Sequence, residues 1–159
     1  MKIADVHAHV FPEKLAVKAA GSIGQFYGTE MYCEASMERL VAEEEKAGVS
    51  RYVISSSAVV PKQVRSIVEF LAEARKGYPE CISFGSIYPG MDGYEEVLDE
   101  LQALGSRGLK IHPDFQKLPI DDPSGIETYR SIARRGLPVL MHMGDNRYDF
   151  SSPERLTNL

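Results

Sequence analysis

Residues 2–12 read Lys-Ile-Ala-Asp-Val-His-Ala-His-Val-Phe-Pro, an apolar strand that carries two histidines and stops at a proline. Because alternate side chains of a strand share a face, His7 and His9 point the same way, and Asp5 falls on that face too. Two neutral imidazoles at this spacing can bind one divalent metal ion. The stretch therefore predicts a buried strand with a metal site at its carboxyl end. The simpler alternative is a pair of polar residues that merely end a strand.

The other histidines occupy similar places in the chain. There are four in all, and each follows an apolar run: His7, His9, His112 and His142. In parallel α/β barrels the carboxyl ends of the strands carry the chemistry. The sequence therefore predicts that all four imidazoles lie at one edge of a parallel sheet.

Five apolar segments, residues 2–12, 51–58, 81–89, 108–113 and 137–144, alternate with amphipathic helical segments. This alternation, at a period of roughly 25 to 30 residues, is typical of βα units. It predicts an α/β fold with parallel strands in a single domain over residues 1–159. No glycine-rich phosphate loop follows the first strand, which argues against a Rossmann fold. The pattern fits about the first five units of a (β/α)8 barrel, which typically needs about 250 residues.

Residues 13–35 interrupt this rhythm after the first strand. The segment places glycines among aromatic residues such as Phe26, Tyr27 and Tyr32. Long insertions in compact domains are usually lids or binding loops, so we expect an irregular, lid-like segment over the site. The alternative is a poorly packed surface excursion. Ser36 then suits a helix N-cap and Gly48 a helix stop, and in the helix between them residues 43–46 (Glu-Glu-Glu-Lys) are expected to form the solvated outer face.

Composition limits the possible partners. The chain has 159 residues, of which 43% are hydrophobic, enough for one domain with a real core. A net charge of -5, a pI near 5.4 and dispersed basic residues do not favour nucleic acid. We expect no membrane span, because there is no long apolar run, and no secretory signal. Cys33 and Cys81 lack metal-binding spacing and are expected to be free thiols. We therefore expect a cytoplasmic protein that acts on a small molecule.

Three motifs together carry a resemblance to a known family. Asp5–His9 (DVHAH), Gly108–Pro113 (GLKIHP) and Leu137–Gly144 (LPVLMHMG) resemble the amidohydrolase superfamily, in particular its amidohydrolase 2 branch, over the whole chain. The resemblance implies a metal-dependent barrel in which His7, His9 and His142 are metal ligands. In the family, a histidine on strand six and an aspartate on strand eight complete the site. Those strands are absent from this sequence, so the chain corresponds to an amino-terminal portion and its catalytic residue is unassigned.

Four further residues are candidates for the site. His112 is a substrate contact, a support for the metal ligands or simply a buried histidine. Lys110 shares its face, either as a carbamylated lysine of the kind that bridges two metals in other branches or as a buried lysine paired with Asp5. Arg147, just after strand five, can bind a substrate carboxylate through two hydrogen bonds, or is an exposed loop arginine. Tyr27 belongs to the insertion and is expected at the substrate pocket.

The chemistry of such a site favours hydrolysis. Imidazole ligands suit zinc and similar borderline ions, and a bound zinc ion lowers the pKa of water to about 7. The first hypothesis is a hydrolase whose metal-activated water attacks an amide, ester or lactone of a carboxylate-bearing small molecule. The alternatives are a decarboxylase of the same branch, a truncated barrel without catalysis, and a TatD-like nuclease or phosphoesterase. The TatD-like enzymes place a glutamate near the end of strand four, where this chain has Lys110 and His112.

The outer strands raise a question of assembly. Five parallel strands without closure leave unpaired backbone groups on the first and fifth strands, whereas a closed barrel has no edges. We therefore expect the remainder of a barrel, or another copy of the chain, to cover these edges. The 159 residues alone are not expected to form an active monomer.

Overall fold

A computed structural model describes residues 2–159, and within them five strands form one parallel sheet. The strands are β1 (Ile3–His9), β2 (Val49–Ser55), β3 (Cys81–Ser86), β4 (Gly108–Ile111) and β5 (Val139–Met141). They lie side by side in chain order, each parallel to the next, as a curled half of a barrel. The predicted α/β fold with parallel strands is confirmed.

Helices connect the strands and follow the last one. They are α1 (Glu13–Tyr27), α2 (Met37–Ala47), α3 (Val64–Gly77), α4 (Tyr94–Ala103), α5 (Pro113–Gln116), α6 (Ile126–Arg134) and α7 (Pro153–Leu156). Short 3-10 turns at Pro61–Gln63 and Pro123–Gly125 precede α3 and α6. Within residues 2–159, each helix is too short or too polar to cross a membrane.

The ends of α2 show why the sequence predicts this helix well. The Ser36 side chain accepts a hydrogen bond from the Arg39 amide at 3.2 Å and caps the first turn. Gly48 ends the helix with φ 72°, a left-handed conformation that favours glycine. Both boundaries agree with the sequence-based prediction.

The first connection differs from the prediction. Residues 13–35 were expected to be irregular, but Glu13–Tyr27 is a regular helix of 15 residues. Small residues four apart, Ala16, Ala20 and Gly24, form its buried face. They let the segment after α1 approach closely, since a Cβ added at Gly24 would lie 2.6 Å from the Thr29 carbonyl oxygen. Close packing of this stripe outweighs the low helix propensity of glycine. The lid role of the insertion stays a prediction.

Two apolar clusters hold the helices on the sheet. One joins β4 and β5 to α3, α4 and α6, and its buried members include Val68, Leu98, Leu109 and Ile132. The other joins β1 and β2 to α2 and α3 through Val10, Tyr52, Ile54 and Leu71. These clusters fix the helices on one face of the sheet.

An irregularity in β1 changes the direction of Asp5. Asp5 is paired with Tyr52 and Ala8 with Ile54, so three steps along β1 match two along β2. This extra residue interrupts the alternation of faces. Asp5 consequently lies on the side of the buried Tyr52 and hydrogen-bonds the Glu44 side chain on α2. The prediction that Asp5 shares the face of His7 and His9 is wrong.

The predicted exposure of Glu44 is also wrong. It is only 7% exposed, although residues 43–46 were expected to form a solvated face. Burial, together with the neighbouring Asp5 carboxyl, raises the pKa of Glu44 to about 7. The prediction fails because α2 turns this one glutamate toward the bulged part of β1.

Candidate metal centre and active site

The carboxyl end of β1 brings two imidazoles together. His7 Nε2 and His9 Nε2 lie 3.1 Å apart, and the ring centroids are 5.1 Å apart. Burial lowers the pKa of His9 to about 3, and the Lys110 ammonium adds to this effect. The same two causes lower the pKa of His7. Both rings are therefore neutral at pH 7, the form that binds metal ions.

Lys110 lies on β4 directly beside this pair. Its side chain is fully buried, and its Nζ is 3.0 Å from His7 Nε2. Burial lowers the pKa of Lys110 to about 8. The hypothesis that Lys110 pairs with Asp5 is wrong, because Asp5 lies on the helix side of the sheet and bonds Glu44. Carbamylation of Lys110 stays an untested alternative.

His112 is fixed in a stack of three rings. It lies between Phe115 and His142, with centroids 3.7 Å and 3.9 Å away and interplanar angles of 5° and 10°. The Phe115 amide donates to His112 Nδ1 at 3.4 Å, and His112 Nε2 is 3.0 Å from the Tyr27 hydroxyl. Burial is the largest cause that lowers the pKa of His112 to about 2. The neutral ring therefore donates from Nε2 to Tyr27, since Nδ1 already accepts.

His142 follows β5, and its backbone amide donates to the Ile111 carbonyl at 3.0 Å. Its Nε2 is 3.6 Å from Asp114 Oδ2, too far for a hydrogen bond. Both His142 Nε2 and Asp114 Oδ1 are buried without a hydrogen-bond partner among the described residues. Ser151 donates to Asp114 Oδ2 at 2.6 Å and fixes this carboxylate. Two unpartnered buried polar atoms side by side indicate a place where a ligand binds.

Two sets of residues could hold a metal ion. The ligand atoms of His112, Asp114 and His142 all lie within 4.8 Å of one another. However, the rings of His112 and His142 lie face to face, and a nitrogen lone pair lies in its own ring plane, so one ion cannot lie in both planes. The His7 and His9 nitrogens fit one ion better, because two ligands 2.0–2.1 Å from one ion at angles of 90–109° are about 2.8–3.4 Å apart.

His142 lies within electrostatic reach of this pair, since its charge would lower the pKa of both His7 and His9. The structure thus gathers all the predicted histidines at one edge of the sheet. They form two subgroups, His7 with His9 and His142 with His112, as the distances above show. Whether His142 joins the first pair around an ion stays a prediction.

Sequence reasoning missed Asp114 and Phe115. Pro113 and Asp114 directly after strand four are a signal for the first turn of a helix, which here is the short α5. That signal could have placed Asp114 at the strand edge. Phe115 stacks on His112 across space, and a contact of this kind leaves no periodic trace in the sequence.

The comparison with protein families assigns the chain. A family model described as amidohydrolase matches residues 4–158. The chain belongs to the amidohydrolase family. No curated protein matches it significantly in sequence. The branch expected from the three strand motifs, amidohydrolase 2, is the one that matches.

Solved structures with the same fold are distant in sequence from this amidohydrolase. A 5-carboxyvanillate decarboxylase of Novosphingobium aromaticivorans with bound manganese has a TM-score of 0.71 at 15% identity, covering 91% of this chain and 51% of that one. The 5-carboxyvanillate decarboxylase of Sphingomonas paucimobilis has a TM-score of 0.67 at 17% identity, with 93% and 54% covered.

A probable 2-pyrone-4,6-dicarboxylic acid hydrolase of Acinetobacter baumannii, with citric acid bound, is similar as well. Its TM-score is 0.60 at 17% identity, covering 89% of this chain and 49% of that one. The amidohydrolase chain therefore spans about half the length of the structures that it matches. At this level of identity the similarity establishes the fold.

Proposed function

We propose that the protein is a metal-dependent hydrolase that cleaves an amide, ester or lactone bond of a small carboxylate-bearing molecule. Membership of the amidohydrolase family supports the reaction class. The observation that carries the proposal is the 3.1 Å separation of the His7 and His9 Nε2 atoms at the carboxyl edge of a parallel sheet.

His7, His9 and His142 are the proposed metal ligands. The spacing of the first two and the unpartnered Nε2 of His142 support this assignment. Imidazole ligands favour zinc or a similar borderline divalent ion, and manganese is bound in one decarboxylase of this fold. When bound, the ion supplies Lewis-acid chemistry and lowers the pKa of water to about 7.

The other site residues bind and orient the substrate in this proposal. Lys110, with a pKa of about 8, is mostly protonated at pH 7 and supplies the positive charge that neutral imidazoles lack. It attracts an anionic substrate to the edge of the sheet. His112, held in its ring stack, donates to Tyr27 and so leaves the Tyr27 hydroxyl hydrogen free to donate to substrate.

A decarboxylase is the second candidate. The fold similarity to two 5-carboxyvanillate decarboxylases favours it, because they match over more than nine-tenths of this chain. Both candidates share the proposed metal ligands and an acidic substrate. They differ in the product, since decarboxylation releases carbon dioxide and hydrolysis consumes water instead.

The metal assignment is tested by titrating zinc and manganese into the purified protein and its variants. His7→Gln, His9→Gln and His142→Gln should each weaken binding by about 100-fold or more, because each removes a direct ligand. His112→Gln is the control and should change affinity much less. Loss of binding in His112→Gln with retention in His7→Gln would instead assign the ion to the set with Asp114.

The reaction is tested with two substrate types on the metal-loaded protein in its self-associated state, since the 159-residue monomer alone is not expected to be active. A dicarboxylated pyrone lactone and a carboxylated hydroxybenzoate are incubated with the enzyme, and ring opening and carbon dioxide are measured. Ring opening of the lactone without carbon dioxide supports the hydrolase. Carbon dioxide release from the hydroxybenzoate alone would replace it with the decarboxylase.

A further inference from the structure

Arg147 joins the loop after β5 to the end of α1. Its Nε and Nη2 donate to the two carboxylate oxygens of Asp145 at 2.9 Å and 2.6 Å. Its Nη1 donates to the carbonyl oxygen of Phe26, in the last turn of α1. One side chain therefore binds its own loop and the carboxyl end of a helix 121 residues away in sequence.

Aromatic rings surround the same guanidinium. Its central carbon lies 4.5 Å from the ring centroid of Phe26, 5.1 Å from that of Tyr27 and 5.6 Å from that of Tyr148. Cation–π contacts of this kind are individually weak but add to the bidentate ion pair. Phe26 also packs edge-on against Phe115, with centroids 4.7 Å apart. The contact set connects the Arg147 loop to the ring stack that contains His112.

The Arg147 guanidinium thus already binds a carboxylate of the protein itself. The carboxylate that it binds is Asp145, and the Arg147 side chain holds the pKa of Asp145 at about 2, so this ion pair persists at neutral pH. Binding of a substrate carboxylate by Arg147 would require breaking these two bonds. A role in holding α1 agrees better with the contacts.

Tyr27 is the group that this arrangement holds in place. Its hydroxyl is 3.0 Å from His112 Nε2, and its ring lines an open pocket of about 340 Å³ together with His142, Asp145 and Arg147. Phe26 and Tyr27 are the last two residues of α1, where a helix frays unless other contacts fix it. The Arg147 contacts are directed at this turn.

We propose that Arg147 is a positioning residue that fastens the end of α1 to the loop after β5 and so holds the Tyr27 hydroxyl beside His112 as a substrate contact. The fastening stands on the structure alone, whereas the role of Tyr27 toward substrate rests on the proposed function. This side of the pocket, lined by Tyr27 and His142, would bind a polar group of the substrate.

The fastening is tested by amide hydrogen exchange in the absence of substrate. Arg147→Met should accelerate exchange of the amides from Gly24 to Gly28 by at least about tenfold, because the last turn of α1 loses its anchor. Arg155→Met is the matched control: Arg155 pairs with Asp121 and Asp149 instead, at 2.6 Å and 2.7 Å. Equal exchange in both variants would overturn the proposal. Asp145→Asn, which keeps the arginine, should give an intermediate acceleration.

The positioning role is tested by kinetics on the metal-loaded enzyme. Tyr27→Phe and Arg147→Met should each raise KM by about tenfold with a smaller change in kcat, and the double variant should be little worse than either alone. Additive effects would overturn the coupling between Arg147 and Tyr27. If the protein turns over neither substrate type, the proposed function is wrong. The hydrogen-exchange experiment still tests whether Arg147 fastens α1, because it needs no substrate.

Discussion

At the scale of single residues, the bulge in β1 separates two histidines that lie together at the strand end from a carboxyl that lies on the other face. His7 and His9 were found from strand alternation, and the structure brings their nitrogens to 3.1 Å. Asp5, two residues earlier, was assigned to the wrong face because a bulge depends on pairing with β2 and leaves no sign in the β1 sequence. The alternation of side-chain faces therefore relates His7 to His9 correctly, but it does not hold between Asp5 and these histidines.

Glu44 gives a pH-dependent prediction. Its folded pKa of about 7 lies above the ordinary carboxyl value of 4.5, so between these pH values the unfolded chain releases a proton that the folded protein keeps. Stability therefore falls as pH rises through this window. Glu44→Gln should raise the Tm at pH 8 and have little effect at pH 4.5.

Thermal unfolding at the two pH values checks this expectation. Glu45→Gln is the matched control, because Glu45 is the exposed neighbour on the same helix. It should show no comparable gain at pH 8. A Glu44→Gln protein that is less stable than the parent at pH 8 would mean that the buried carboxylate is stabilised by contacts other than those described.

At the scale of elements, α2 and α1 show what can be predicted and why. The Ser36 cap and Gly48 terminator of α2 act locally, so the sequence identifies them. In α1, Gly21 and Gly24 lower the helix propensity, and the helix is stabilised by packing of its small-residue face. Helix propensity depends on local sequence, so it cannot predict the contact between Gly24 and the segment that begins at Thr29.

The same two glycines provide a matched pair of mutations. Gly21→Ala should stabilise the protein by about 0.5–1 kcal/mol, because alanine favours a helix and no atom lies within 4 Å of the new methyl group. Gly24→Ala should destabilise it by about 1–3 kcal/mol, since its methyl group would collide with the Thr29 backbone. Urea unfolding of both variants measures the difference. Equal stabilisation would show that the segment after α1 is not packed against Gly24.

At the scale of the whole molecule, the alternation of strands and helices predicts a parallel sheet with its strands in chain order. In that order β1 and β5 are the outer strands of the sheet. Among residues 2–159, β1 pairs only with β2 and β5 only with β4. Val6 on β1 is 64% exposed, while every residue of β4, which has a neighbour on both sides, is buried. The sequence predicted these open edges, but it contains no signal that identifies what covers them.

We expect the 159-residue chain to self-associate through the β1 edge. An exposed strand edge with apolar side chains favours pairing with another chain, and a lysine on the edge opposes it. Val6→Lys should therefore weaken association, measured by sedimentation velocity from low to high micromolar concentration. Val17→Lys, at a 75% exposed site on α1, is the control and should have no effect. A monomer at every concentration would contradict the expectation.

We infer that the strand ends of this amidohydrolase gather His7, His9 and His142 around one divalent ion. Anomalous diffraction from crystals of the protein grown with zinc tests it most directly. We expect a single strong peak bonded to nitrogens of all three histidines, at about 2.0–2.1 Å from each. A peak bonded to Asp114 and His112, with His7 and His9 still facing each other without an ion, would contradict it.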